Sequence, residues 1–295
     1  MKKEGLSFWP VSMKKYKYIA CCLSLVGILL GSGCATYRAP AVQRSVWDDP
    51  SPILGNIQGE VKSLSLQQIW QILLTRNSNL NSFRANADIV LDTPDIKGSL
   101  RCRGLIVYQK PENLRIIGSK FTATLFDILS TGDKFWLYIP MEKKLYTGSS
   151  DTFHRIETLG INIFPGDIAT LFNYKETLIG EKLALETWPT YWLVHLLDMD
   201  TKFVNLKGNV SLDRINAEVF RYDLFNPDGS VRLQALFTDY GTYDGCRIPQ
   251  EVHVRWPRYE TTLTITFSEV AVNISLDPKV FTPTISKKVQ TIHLH

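Results

Sequence analysis

Phe83-Arg84-Ala85-Asn86-Ala87-Asp88-Ile89-Val90-Leu91 decides the fold class, because Phe83, Ala85, Ala87, Ile89 and Leu91 alternate with polar Arg84, Asn86 and Asp88. Successive strand side chains point to opposite faces, so a period of two over this length means a long strand with one face buried. Leu100, Cys102, Gly104, Ile106 and Tyr108 repeat the pattern. Strand signals recur at 113–117, 122–129 and 135–139, with Ser130-Thr131-Gly132-Asp133 as a turn before the last. Further strands are predicted at 191–197, 205–212, 219–225, 231–237, 251–256 and 262–267, and Asn226-Pro227-Asp228-Gly229 marks one hairpin. A meander of adjacent antiparallel hairpins is the economical topology. Helical signals are few. Ser65 and Gln68 form a capping box before Leu66, Ile69, Trp70 and Leu73, and Pro165 opens a short helix carrying Ile168, Leu171 and Phe172. Many strands with few helices leave a closed barrel, a sandwich, or a strongly curved open sheet wrapped over its helices. Alternation alone separates neither a ligand cavity from a packed core nor Phe135/Leu137 from Trp136/Tyr138 as the inward pair.

The N-terminal segment carries a different signal. Lys14, Lys15 and Lys17 precede an apolar run from Ile19 to Leu30, too short for a stable transmembrane helix, and Gly31-Ser32-Gly33-Cys34 follows. Small residues there would admit a peptidase to the backbone, and the Cys34 thiol is the atom that would take a diacylglycerol. This stretch resembles a bacterial lipobox, with Gly31 where the pattern has Leu three residues before the cysteine. Residues 1–33 are therefore expected to be a lipoprotein signal peptide. Met13 is the expected start of translation, since Phe8, Trp9 and Pro10 interrupt the basic region. Without residues 1–33 the chain keeps 28 basic and 28 acidic side chains of the original 33 and 29. Its net charge is then near zero, which gives no argument for nucleic-acid binding. Residues 34–60, rich in Pro, Gly, Asp and Ser, suit a flexible tether. The main domain is expected at 61–285 and a polar tail at 286–295. Cys102 and Cys246 remain as thiols or as one disulfide, and no metal-ligand spacing or cofactor motif is present.

Several stretches in order resemble the LolA/LolB lipoprotein-carrier superfamily: Gly104 to Leu114 with its Lys110-Pro111 turn, Gly132-Asp133-Lys134-Phe135-Trp136-Leu137-Tyr138-Ile139-Pro140, Phe237-Thr238-Asp239-Tyr240, Arg247-Ile248-Pro249, and Asp277-Pro278 to Phe281. The resemblance covers most of 64–283. It implies a mainly β fold, a curved antiparallel half-barrel (an unclosed β-barrel) covered by a few helices, whose apolar cavity holds acyl chains of lipids or lipoproteins. Its implied lining residues are Trp70, Leu100, Ile106, Tyr108, Leu125, Trp136 and Tyr138. Lys110 stands where the soluble carrier has an Arg touching the helical lid; it keeps that charge without the planar fork. Phe121 falls near the loop on which the membrane-anchored receptor carries an exposed Leu, which makes it the candidate membrane contact. The implied setting is the periplasmic face of the outer membrane, since Ala35 is not the Asp that retains lipoproteins at the inner membrane in enterobacterial sorting. A periplasmic carrier is then an expected partner.

An enzyme is not expected. His154, His195, His253, His293 and His295 are scattered, and no Gly-x-Ser-x-Gly, His-Glu-x-x-His or phosphate loop occurs. Asp223, Asp228 and Asp239 read as strand-end and turn residues. The other function class is a non-catalytic envelope scaffold or sensor lipoprotein with a filled core, because one fold supports many tasks.

Overall fold

The computed structural model describes residues 47, 51–55, 58–94, 96–132, 134–149, 164–173, 182–199, 203–283 and 289–294. Cys34, the expected signal peptide and most of the expected tether lie outside them, as does His154. After a single helical turn at Ser51–Leu54 comes helix α1 (Leu66–Asn79), and α2 (Pro165–Phe172) lies mid-chain. The first strands are β1 (Ser82–Asp92), β2 (Leu100–Gln109), β3 (Asn113–Lys120), β4 (Ala123–Thr131), β5 (Lys134–Ile139) and β6 (Lys144–Ser149). After α2 come β7 (Lys182–Thr187), β8 (Tyr191–Asp198), β9 (Asn205–Asp213), β10 (Val219–Phe225), β11 (Val231–Tyr243), β12 (Cys246–Trp256), β13 (Thr261–Val272) and β14 (Gln290–His293).

All 14 strands form one sheet in the order β14-β6-β5-β4-β3-β2-β1-β13-β12-β11-β10-β9-β8-β7. The expected meander is therefore two meanders, β1 to β6 and β7 to β13, joined where β1 pairs with β13 from Phe83↔Val272 to Asp92↔Thr262. The edges β14 and β7 do not meet, so the sheet is unclosed. Part of the expected polar tail forms β14, which pairs parallel with β6 from Gln290↔Lys144 to His293↔Thr147. Cys102 and Cys246 are both free and buried, near opposite ends of the strands.

Strands spaced about 4.8 Å apart would make a flat sheet of this size roughly 60 Å wide. Helices of 14 and 8 residues span about 21 Å and 12 Å. One apolar cluster nevertheless joins both helices to strands from β1 to β6 and from β8 to β13. The sheet must curl around its helices to make those contacts. The inner face is read directly from the alternation: Phe83, Ala85, Ala87, Ile89 and Leu91 are buried, while Arg84, Asn86 and Asp88 are exposed.

The outer face has a small core of its own. Val107, Leu129 and Phe281 are buried together, with Trp136, Leu276 and Val280 packed on them. Arg115 straps the C-terminal segment there, donating at 2.9 and 2.6 Å to Asp127 and at 2.6 Å to the Val280 carbonyl. Asp277 caps the 3-10 turn Pro278–Phe281 by accepting from the Lys279 N–H at 2.9 Å.

The antiparallel order also defines two rims. Loops after β1, β3, β5, β8, β10 and β12 lie at one end of the strands, here called the Phe121 rim. Loops after β2, β4, β7, β9 and β11 lie at the other, the Asp213 rim.

Candidate functional site

Helix α1 begins as its sequence dictates. The Ser65 N–H donates to Gln68 Oε1 at 2.8 Å, and the Gln68 N–H donates to Ser65 Oγ at 3.3 Å, which closes a capping box. Ile69 and Leu73 then fall one turn apart and are buried against the sheet. Arg76, in the last turn, donates to the Ala217 carbonyl and, at 2.8 Å, to the Asn216 carbonyl, which ties the helix to the β9–β10 turn. Beside this tie a cleft of about 50 Å³ opens among Leu73, Arg76, Leu80, Tyr240, Cys246 and Ile248. That is room for a few water molecules, not for an acyl chain.

Helix α2 starts at Pro165, whose missing N–H costs nothing in the first turn. Ile168, Leu171 and Phe172 are buried beneath it. Phe172 meets Phe83 edge-on at 4.9 Å, with Tyr108 at 5.7 Å and Phe267 at 6.2 Å, so aromatic rings fill the space between this helix and β1, β2 and β13. Asp167 anchors the other end of the helix. It is 3% exposed, accepts from Trp256 Nε1 at 3.0 Å, and is paired with Arg232. Burial pushes its carboxyl above the usual aspartate range, against the opposing pull of the Arg232 charge and the Trp256 N–H. The carboxylate thus pins the start of α2 to β11 and β12. Asn173 pins its end by donating from Nδ2 to the Pro111 carbonyl at 2.8 Å.

At the Phe121 rim, Lys120 pairs with Ala123, leaving Phe121 and Thr122 as the tip of the β3–β4 hairpin. Phe121 is 97% exposed and has φ 56°. A left-handed conformation costs a residue with a Cβ about 1–2 kcal/mol, and no burial of the ring offsets it. The hairpin base is tight by contrast. Gly118 faces Phe126, and a Cβ on Gly118 would lie 2.4 Å from the Phe126 ring.

No family model matches this chain, and no curated protein matches it. Solved structures do. A domain from Vibrio parahaemolyticus described as an outer membrane lipoprotein-sorting protein domain superimposes with a TM-score of 0.53 at 14% identity, covering 72% of this chain and 94% of its own. A LolA superfamily protein from Nitrosomonas europaea gives 0.52 at 16% identity, covering 75% of this chain and 99% of its own. The chain has a LolA-type fold. A DUF1329 family protein from Desulfovibrio piger shares it, with a TM-score of 0.55 at 12% identity, covering 74% of this chain and 98% of its own.

Within the LolA-type fold the expected site residues separate. Ile106 and Tyr108 are fully buried on the inner face of β2, Leu100 is half-buried at the start of that strand, and Leu125 is half-buried against the same core. Trp70 packs onto this core from α1. Phe135 and Leu137 are the inward pair on β5, each at most 1% exposed. Trp136 and Tyr138 therefore point to the outer face, where Trp136 packs with the cluster of Val107, Leu129 and Phe281. The two strand parities were equally apolar in the sequence, and the C-terminal strap explains why: β5 buries its inner face and has Trp136 half-buried under the strap on its outer one.

The Lys110-Pro111 turn lies at the Asp213 rim. The Lys110 N–H donates to the Asn81 carbonyl at 2.9 Å, next to the end of α1. The contact from this turn to α2 runs through the Pro111 carbonyl and Asn173. Asp167, Arg232 and Trp256 had no place in the expected site. Only Asp167 had a local signal, an acid in the first turn after a helix-opening proline.

Proposed function

We propose that this protein is a lipid-anchored lipoprotein of the cell envelope. In this reading Cys34 carries the acyl anchor, and the domain faces the periplasm from the outer membrane. It takes acyl chains of lipids or lipoproteins between its sheet and helices, without catalysis, receiving them at the membrane or from a periplasmic carrier.

The observation that carries the reading is Phe121: a large apolar side chain, 97% exposed in a left-handed conformation at a hairpin tip, contributes nothing to its own fold. Strain of this kind persists where something outside the local structure uses it. The LolA-type fold supplies the second half of the proposal, an apolar sheet face covered by helices held at a few polar points, Arg76, Asp167 and Asn173. Acyl chains bind such a face by the area they remove from water, about 0.8 kcal/mol per methylene. At the described cleft, which is about 50 Å³, uptake would need a helix to lift from the sheet. Both strand histidines make cross-strand contacts, His195 Nδ1 2.7 Å from Asn209 Oδ1 and His253 Nδ1 3.1 Å from Thr264 Oγ1, and each has a glutamate 3.4 Å from its other ring nitrogen.

The test is mass spectrometry of organic extracts from protein purified out of its native envelope, together with transfer of a labelled acylated protein to vesicles. Reproducible enrichment of lipid or lipoprotein is the expected result, and Phe121→Asp should slow transfer. The close ring contacts among Phe83, Tyr108 and Phe172 favour a second reading, a scaffold or sensor with a filled core. Ligand-free protein with no transfer activity would establish that alternative instead.

A further inference from the structure

Phe121 is not alone on its rim. Met141, in the β5–β6 loop, is 84% exposed, and the β8–β9 loop shows Met199 at 58%, Phe203 at 77% and Val204 at 56%. Strand pairing places all three loops at the same end of the sheet. The other large apolar side chains exposed among the described residues are Val61 and Trp188. Val61 adjoins Lys62, whose N–H donates to the Arg214 carbonyl in the β9–β10 turn, and Trp188 stacks on Tyr191 with 8° between the rings.

The arrangement discriminates between kinds of partner. A protein interface needs a contiguous patch with a central anchor in a pocket. Here the apolar side chains stand on separate tips, and lipid chains close around separate side chains without a matched surface. Basic residues accompany them: Lys120 adjoins Phe121, Lys143 and Lys144 follow Met141, and Lys97 and Arg258 occupy other loops of the rim. Long basic side chains at this depth reach phosphate groups while their stems lie among apolar atoms. Acids share the rim. Glu142 is paired with Lys144 at 3.1 Å and Asp198 with Lys207 at 3.8 Å, and Asp228 and Glu260 are also there.

We infer that the Phe121 rim is a bilayer-docking edge, with Phe121, Met141 and the described flanks of the β8–β9 connection (Met199, Phe203 and Val204) entering a phospholipid bilayer together. Three separated insertion points define a plane, whereas one leaves the domain free to pivot. The inference rests on the proposed membrane contact of Phe121 and adds the orientation: strands directed at the membrane, with the Asp213 rim away from it.

The test uses the full chain, expressed with its own N-terminal segment and reconstituted into vesicles of phosphatidylethanolamine and phosphatidylglycerol. An environment-sensitive label is placed in turn at Phe121→Cys, Met141→Cys, Phe203→Cys and, on the opposite rim, Asp244→Cys, with Cys102 and Cys246 replaced by alanine. The first three labels should shift to the blue and be quenched by spin-labelled lipid, while the label at 244 stays in water. Quenching at 121 alone would overturn the three-loop edge and leave the single-hairpin contact standing. Quenching at none of the rim positions would remove both, and equal quenching at 244 would overturn the orientation. Hydrogen exchange on the unsubstituted chain gives the same answer without relying on the variants' folding: amides of all three loops should slow on vesicles, and those at 244–245 should not.

Discussion

At one rim of the sheet, the buried carboxylate of Asp213 accepts from the N–H groups of Ile215, Asn216 and Glu218 at 2.9, 2.6 and 2.8 Å. Arg214, next in the chain, donates to the carbonyls of Lys62 and Trp188 and lies 5.8 Å from the Trp192 ring. Arg76 and Asn173 bring the helix ends to the same rim. At the other rim, Phe121, Met141 and Phe203 stand largely in solvent. The first rim spends its polar groups on its own backbone, so substitutions there should register as lost stability. The second exposes side chains that do little for the fold, so substitutions there should register in binding.

The largest effect is expected from Asp213→Ala. It orphans three backbone donors in a turn where Ala217 has φ 59°, and charge-assisted bonds of this kind put the loss at about 3–5 kcal/mol. Urea unfolding measures it. Asp213→Asn, which keeps an acceptor oxygen, should lose less. A loss under about 1 kcal/mol would mean that water satisfies the turn, and the contrast between the rims would collapse.

Gly118→Val comes next and asks whether the exposed rim is merely loose. Its Cβ would meet the buried Phe126 ring at 2.4 Å, and overpacking costs about 1–3 kcal/mol. Phe126→Leu should restore part of the loss. Unchanged thermal stability would show that the hairpin yields at its base, so that the exposure of Phe121 carries no information about function.

Much of this fold was legible because alternation is local physics. The runs at 83–91 and 100–108 became β1 and β2 almost residue for residue, and the Ser65/Gln68 box opened α1. Three strands escaped: β6 is short and buries adjacent Leu145 and Tyr146 on opposite faces, and β7 and β14 are edge strands with no fully buried residue. The joining of the meanders through β1 and β13 is nonlocal, and no periodicity announces it. The candidate site was less legible. Burial of Ile106 and Tyr108 followed from parity, whereas the outward aim of Trp136 depends on the strap at Phe281, well over a hundred residues away. A hydrophobic pattern marks apolar faces and does not say which of two will meet the helices. The exposure of Phe121 was expected only by resemblance, because a lone apolar residue beside a strand reads as core.

Asp167 tests whether polar anchoring reaches beyond the Asp213 rim, since it holds α2 from the opposite end. The folded state binds the Asp167 proton more tightly than the unfolded chain does, because burial raises its carboxyl from 3.8. The unfolded chain therefore releases that proton first as pH rises. The Asp167 contribution to stability is fully present at low pH and is lost as pH climbs from near 3.8 through the raised folded value. Asp167→Asn should flatten this part of the stability profile, read from urea midpoints across the acidic range. An unchanged slope would assign the pH dependence to other carboxylates.

The smallest change in stability is expected from Phe121→Asn, and it has the opposite sign. Asparagine tolerates the left-handed region, and the ring it replaces is 97% exposed. The variant should thus be more stable than the parent, by up to about 1 kcal/mol, with a small rise in Tm. The same substitution removes the apolar tip, so transfer to vesicles should fall while folding improves. That pairing distinguishes a residue kept for a partner from one kept for the fold: a merely structural Phe121 would lose both together. If stability drops, the ring has an intramolecular role that its exposure hides. If stability rises and transfer is unchanged, membrane contact must be sought at Met141 and Phe203 instead.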